Sequence, residues 1–111
     1  MPVVDRREFG GRFTVQENSQ RLANYRYLEI QLMEMLGGWC HTTPQLAFKA
    51  TFGYHVYDHA QAADLLGERM EQLRSGRETQ EPATDAFARL CESVWELPDP
   101  LERLVAVYRV L

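Results

Sequence analysis

Two histidines and an aspartate lie within little more than one helical turn, in the stretch YHVYDHAQA at positions 54–62. His55 and His59 are four residues apart, so a helix presents both imidazoles on one face, where two nitrogen atoms can bind a single metal ion. Asp58 is displaced from His59 by about 100° around the helix. Its carboxylate could bind the same ion or accept a hydrogen bond from an imidazole N–H. The stretch therefore predicts a metal site.

A glutamate lies in the middle of an apolar helix face that precedes this stretch. The apolar members of that face are Leu22, Tyr25, Leu32 and Leu36. Glu29 stands among them, and a buried carboxylate is costly unless it is neutral, ion-paired or bound to a metal. Glu29, His55 and His59 together form a two-histidine, one-carboxylate set, which suits iron, manganese or zinc.

Other interpretations of the same residues stay open. Histidines on a half-buried face often form hydrogen bonds to a carboxylate or to a tyrosine hydroxyl. The tyrosines on the two helices are Tyr25, Tyr27, Tyr54 and Tyr57. Lys49 could neutralise Glu29 in place of a metal, and His55 with Asp58 could act as an acid–base pair without one.

The sequence predicts a long helix that carries Glu29. Thr14 and Glu17 match a capping box, in which each side chain can accept a hydrogen bond from the other residue's backbone N–H. The helix is expected to run from about Val15 to Leu36. Gly37-Gly38 is expected to end it, because glycine adopts the left-handed conformation common at helix C-termini.

A second long helix is predicted to carry the histidines. Thr43 and Pro44 provide an N-cap and a first-turn proline, and the apolar period continues to Leu73, before Ser75-Gly76. The side chains on its predicted core face are Phe48, Phe52, His55, His59, Ala62, Leu66 and Leu73.

Two shorter helices are predicted after a polar linker. Residues 75–82, SGRETQEP, contain no core residues, and Pro82 opens a helix that reaches about Trp95, with Cys91 on its apolar face. Asp99 and Pro100 then combine a cap with a first-turn proline before the run LERLVAVYRVL.

The predicted fold class is all-α. The chain has 111 residues, of which 45% are hydrophobic, and we expect a single helical domain over 14–111 after a flexible arm over 1–13. Two long helices joined by a short turn are antiparallel neighbours, and two short helices cover them only in part. Pairing with a second copy, or with a companion helical protein, is expected to complete the bundle.

Charge and hydropathy exclude some partners. The formal net charge is −4, and Arg6-Arg7 is the largest basic cluster, so nucleic acid is not an expected partner. No apolar run approaches the roughly 20 residues of a membrane span, and the N-terminal sequence MPVVDRREFGG lacks the apolar core of a signal peptide. We therefore predict a cytoplasmic protein without a membrane partner.

The run RLANYRYLEIQLMEMLGGW, followed by Pro44, Lys49 and YHVYDHAQAADLLGERMEQLR, resembles the N-terminal half of a group of ferritin-like helical proteins, over roughly residues 14–75. In that class, glutamates and Glu-x-x-His pairs project into a helical bundle and bind one or two metal ions. Glu29 matches the first glutamate. Where the second motif is expected, this chain has Asp58, His59, Gln61 and Ala62, so no Glu-x-x-His is present there.

The resemblance implies a metal-dependent protein with oxidase- or oxygenase-type chemistry. Its expected ligands are Glu29, His55, Asp58 and His59, and the expected cofactor is iron, manganese or zinc. A complete site of this class also needs a second hairpin, which two paired chains are expected to supply. The alternative function is a non-catalytic dimerisation or partner-binding module that has lost the metal site.

Overall fold

The computed structural model describes residues 14–111, and this part of the chain is all-helical, as predicted. It contains four α-helices, the last of which continues as a short π-helix. They are α1 (Val15–Thr42), α2 (Leu46–Gln72), α3 (Asp85–Trp95) and α4 (Pro100–Val105), with the π-helix over Ala106–Val110. No strand occurs among residues 14–111. The predicted arm over 1–13 lies outside the described residues.

The two long helices form the predicted antiparallel hairpin. Cys40, near the end of α1, contacts Lys49, near the start of α2. In the opposite direction along α1, Arg26 contacts Ala63 farther along α2. The short connection between α1 and α2 requires this arrangement, because a chain that turns within a few residues must run back beside itself.

The hydrophobic core lies beside the half of the hairpin near its connection. Its buried side chains come from α1, α2, α3 and the C-terminal segment, which is defined as residues 100–111: Leu32, Met35, Leu36, Trp39, Phe52, Cys91, Val94, Ala106 and Val107. Two predicted core positions differ from expectation, since Tyr25 is 58% exposed and Phe48 is 44% exposed. Tyr25 lies on the half of α1 away from this cluster, which the short helices do not cover. Phe48 lies at the edge of the core, where it lines a small cavity with Trp39 and Phe52.

The predicted end of the first helix at Gly37-Gly38 is wrong, since α1 continues to Thr42. Trp39 is buried and packs edge-on against Trp95, with 6.5 Å between ring centroids. A Cβ atom on Gly38 would lie 3.2 Å from the Trp95 ring. Gly38 therefore gives Trp95 room to approach the helix, and the burial of Trp39 favours continuation of the helix over the local preference of glycine.

The predicted cap at Thr43-Pro44 is also displaced. Helix α2 begins at Leu46, and Gln45 precedes it without a side-chain cap. The Thr43 hydroxyl instead donates a hydrogen bond to the carbonyl oxygen of Trp39, at 2.7 Å. It thereby satisfies one of the carbonyl groups that a helix C-terminus leaves without a partner.

The remaining helix ends follow from local side-chain caps. Thr14 accepts a hydrogen bond from the Glu17 backbone N–H, as the capping box predicts. Helix α3 begins three residues after the predicted Pro82, at Asp85, because the Thr84 hydroxyl caps it. Asp99 caps α4 as expected.

The polar stretch after α2 is fixed to the hairpin. Asn24 donates to the Glu81 carbonyl oxygen at 2.9 Å, and Arg26 donates to the Thr79 carbonyl oxygen at 3.4 Å. Arg77 forms ion pairs with Asp64, Glu68 and Glu71 of α2. The stretch lacks apolar core residues, as predicted, and hydrogen bonds and ion pairs hold it in place.

Candidate functional site

The site is built around a contact between the two long helices. Glu29 lies on α1 and His59 on α2, and Glu29 Oε2 is 2.5 Å from His59 Nδ1. Each side chain is about one quarter exposed, at 26% and 25% respectively. The carboxylate thus has the partner that its position between two packed helices requires. Among the predicted alternatives, Glu29 pairs with His59 and not with Lys49.

The second histidine is fixed by the C-terminal segment. His55 Nδ1 lies 2.6 Å from the Tyr108 hydroxyl, and the two rings pack edge-on with 5.4 Å between their centroids. Burial raises the pKa of Tyr108, so the phenol keeps its proton at neutral pH. A tyrosine partner for a histidine was predicted, but Tyr108 was not among the candidates, because sequence spacing cannot place the C-terminal segment against α2.

His55, Asp58 and His59 line one cleft. Its volume is about 360 Å³, and its other lining residues are Leu32, Val107, Tyr108 and Leu111. The structure therefore brings together three of the four predicted site residues. Glu29 does not line the cleft and contacts the ring of His59, which does. Asp58 is exposed at the rim, and its carboxylate makes no hydrogen bond within the described part of the chain.

The ring nitrogens define what the cleft can bind. Nδ1 of each imidazole is engaged by a side chain from another element, so Nε2 is the nitrogen that remains on each ring. Over residues 14–111, no three His, Cys, Asp or Glu side chains are grouped so that they could hold a metal ion. Binding at both Nε2 atoms would need Asp58, or a group from outside the chain, as a further ligand.

The chain matches no family model, and neither the curated proteins nor the solved structures include a match. In the part that the structure describes, no helix is both long and apolar enough to cross a membrane. The class of the protein is defined by its fold and site alone: an all-α helical hairpin with a cleft lined by two histidines. The resemblance to ferritin-like proteins stays a prediction.

Proposed function

We propose that this chain is a ferritin-like helical protein that binds one transition-metal ion, namely iron, manganese or zinc, in the cleft between α2 and the C-terminal segment. His55 and His59 supply Nε2 ligands, and Asp58 supplies a carboxylate. The observation that supports the proposal most directly is the contact between His59 Nδ1 and Glu29. Histidines that bind metals commonly donate their other ring N–H to a carboxylate in this way.

The Glu29 contact determines which nitrogen of His59 can bind a metal. An ionised carboxylate accepts hydrogen bonds, so in the neutral imidazole ring Nδ1 carries the proton and Nε2 keeps a free lone pair. His55 reaches the same state when its Nδ1–H donates to the Tyr108 hydroxyl oxygen. In this proposal Glu29 orients a ligand, a role different from the direct binding that the sequence predicts.

Asp58 completes the ligand set. It precedes His59, lines the same cleft and is exposed, so its side chain can turn toward the histidines without breaking a packed contact. Two imidazoles and one carboxylate leave open coordination positions, an arrangement that suits iron in oxygen-dependent oxidation. Oxidative chemistry is therefore the proposed activity of the bound metal.

The ferritin-like architecture of the proposal requires a second hairpin. The chain contributes two long helices, whereas a bundle of this class has four. Exposed apolar side chains on α2, among them Leu46 and Leu65, support pairing with another helical surface. We therefore propose that two copies of the chain pair and that each supplies one hairpin.

The test is metal content per chain. Tag-free protein, purified without chelators, is incubated separately with Fe(II) without oxygen, Mn(II) or Zn(II), then dialysed and subjected to elemental analysis. We expect about one ion per chain for at least one metal, and loss of that ion in His59→Ala. His41→Ala is the matched control, because His41 is an exposed histidine at the end of α1. Glu29→Gln should weaken affinity by about 10- to 100-fold, the effect of losing an orienting partner.

Circular dichroism must show that each variant keeps the helical content of the wild type. A wild type that binds none of the three metals refutes the proposal, as does equal loss of metal in the His41→Ala and His59→Ala variants. The function would then be the alternative, a non-catalytic partner-binding module, which the exposed apolar face of α2 favours. In that case the Glu29–His59 contact only joins the two helices.

A further inference from the structure

The outer side of α2 carries a row of uncharged side chains that no other element among residues 14–111 covers. The row, here termed the outer stripe, consists of Leu46, Ala50, Tyr54, Tyr57, Gln61 and Leu65. All six residues are exposed, and its four large apolar members are 79%, 74%, 62% and 64% exposed, in chain order. The opposite side of α2 faces the rest of the protein through Phe52 and Ala63, which are buried. Monomeric proteins rarely expose apolar patches larger than a few hundred Å².

The outer stripe has the same pattern in both directions along the helix. Its successive spacings are four, four, three, four and four residues. When two copies of α2 pair antiparallel about a two-fold axis between Tyr54 and Tyr57, Leu46 of one copy lies opposite Leu65 of the other. The two tyrosines then lie opposite each other, and Ala50 lies opposite Gln61. A two-fold interface requires such reciprocity: if residue i of one copy contacts residue j of the other, residue j of the first copy also contacts residue i of the second.

The charges and hydrogen bonds of the stripe are compatible with a second copy. The outer stripe contains no charged residue, so self-pairing places no like charges opposite each other within it. Gln61 Nε2 donates to the Tyr57 hydroxyl at 2.8 Å, so the two side chains satisfy part of each other's hydrogen bonding within one chain. The small side chain of Ala50 leaves space opposite the longer side chain of Gln61.

The available area is large enough for a stable pair. The two tyrosines are aromatic side chains of about 150–250 Å² each, and with the two leucines the exposed area is on the order of 600 Å² per copy. Two copies can therefore remove at most about 1,200 Å² from water, the lower limit of standard specific interfaces. The stripe also extends for about 28 Å along the helix, at about 1.5 Å per residue.

We infer that the outer stripe is the interface of an antiparallel homodimer of this chain. The inference rests on the pairing included in the proposed function, and it specifies the surface, the direction and the register. His59 and the core side of α2 face away from the stripe. Leu46 and Leu65 also do not line the cleft, so the metal content of variants at these two positions reports on the cleft separately from dimerisation.

The first experiment is sedimentation equilibrium on the wild type at about 100 µM, where a complex with a Kd of about 1 µM is nearly fully formed. We expect a dimer. Leu65→Glu should raise the dissociation constant at least tenfold, because it places a charge opposite Leu46 in each half of the interface. Leu101→Glu is the matched control, since Leu101 is 67% exposed on α4, outside the stripe.

The register is tested by a charge exchange. Leu46→Lys alone should also dissociate the dimer, whereas the double variant Leu46→Lys/Leu65→Glu should recover it, because each lysine then faces a glutamate of the other copy. The two positions are too far apart on one helix to pair within a chain. A monomeric wild type, dissociation by Leu101→Glu with none by Leu65→Glu, or failure of the double variant to recover the dimer would overturn the inference.

The two proposals fail separately. A wild type that is monomeric and holds one metal ion refutes the dimer and leaves the cleft intact. A dimer that recovers with the charge exchange and binds no metal refutes the cleft and leaves the outer stripe intact.

Discussion

Two glycines of α2 have different surroundings, and alanine substitution should stabilise the protein at one of them and not at the other. Gly53 is exposed, and a Cβ atom there would meet nothing within 4 Å. Gly67 is buried, and a Cβ atom there would lie 2.9 Å from the Arg77 carbonyl oxygen and 3.2 Å from Arg77 Cγ. The nearer contact is with backbone, which cannot move aside as a flexible side chain can.

The magnitudes follow from two competing effects. Replacing glycine by alanine within a helix gains about 1 kcal/mol at either position. At Gly67 the added methyl group also overpacks a filled contact, which costs about 1–3 kcal/mol. Gly53→Ala should therefore stabilise the fold by about 1 kcal/mol. The unfolding free energy of Gly67→Ala should be about 1–3 kcal/mol lower than that of Gly53→Ala.

Urea denaturation followed by circular dichroism measures this difference, with both variants and the wild type at the same protein concentration. Thermal midpoints provide a second readout, because 1 kcal/mol shifts Tm by about 4–8 °C in a domain of roughly this size. Equal stabilisation by the two substitutions would contradict the packing of residues 76–79 against α2. A loss of stability in Gly53→Ala would contradict the open surroundings of that glycine.

Two further predictions concern the end of α2 and the core. Arg74 has a φ of 62°, and the Ser75 N–H bonds to the Met70 carbonyl oxygen at 2.8 Å, the geometry of a glycine-type helix end. Arg74→Gly should raise the unfolding free energy by about 0.5 kcal/mol. Relief of the left-handed strain gains about 1 kcal/mol, and the greater chain entropy that glycine gives the unfolded state costs about 0.5 kcal/mol. A lower thermal midpoint for this variant would contradict the prediction. Cys91 is fully buried and burial raises its thiol pKa, whereas Cys40 is partly exposed. A thiol reagent at neutral pH should therefore modify Cys40 first and Cys91 only as the protein unfolds, and mass spectrometry that finds equal rates in the native protein would refute the burial of Cys91.

The helical elements were predictable where local chemistry decides them. The caps at Thr14 and Asp99 form as their sequences indicate. The prediction at Gly37-Gly38 is wrong because the burial of Trp39 against Trp95 depends on a residue more than fifty positions away along the chain. Thr43 has the chemistry of a cap, but local sequence does not show which helix it caps.

The candidate site was predictable in part. The four-residue spacing of His55 and His59 indicates a shared helix face, and the structure places both in one cleft with Asp58. The apolar surroundings of Glu29 indicate a need for a partner, and His59 is that partner. Tyr108 could not be found by spacing, because its contact with His55 joins segments that are distant in sequence.

The amino-acid pattern was sufficient to predict that the chain is helical and that its two long helices pack against each other. These properties follow from periodicity and capping, which act over a few residues. Two contacts follow only from the three-dimensional fold: Glu29 contacts His59 rather than Lys49, and the C-terminal segment places Tyr108 against His55. Such contacts depend on the relative positions of helices, because burial and packing between distant segments outweigh local preference.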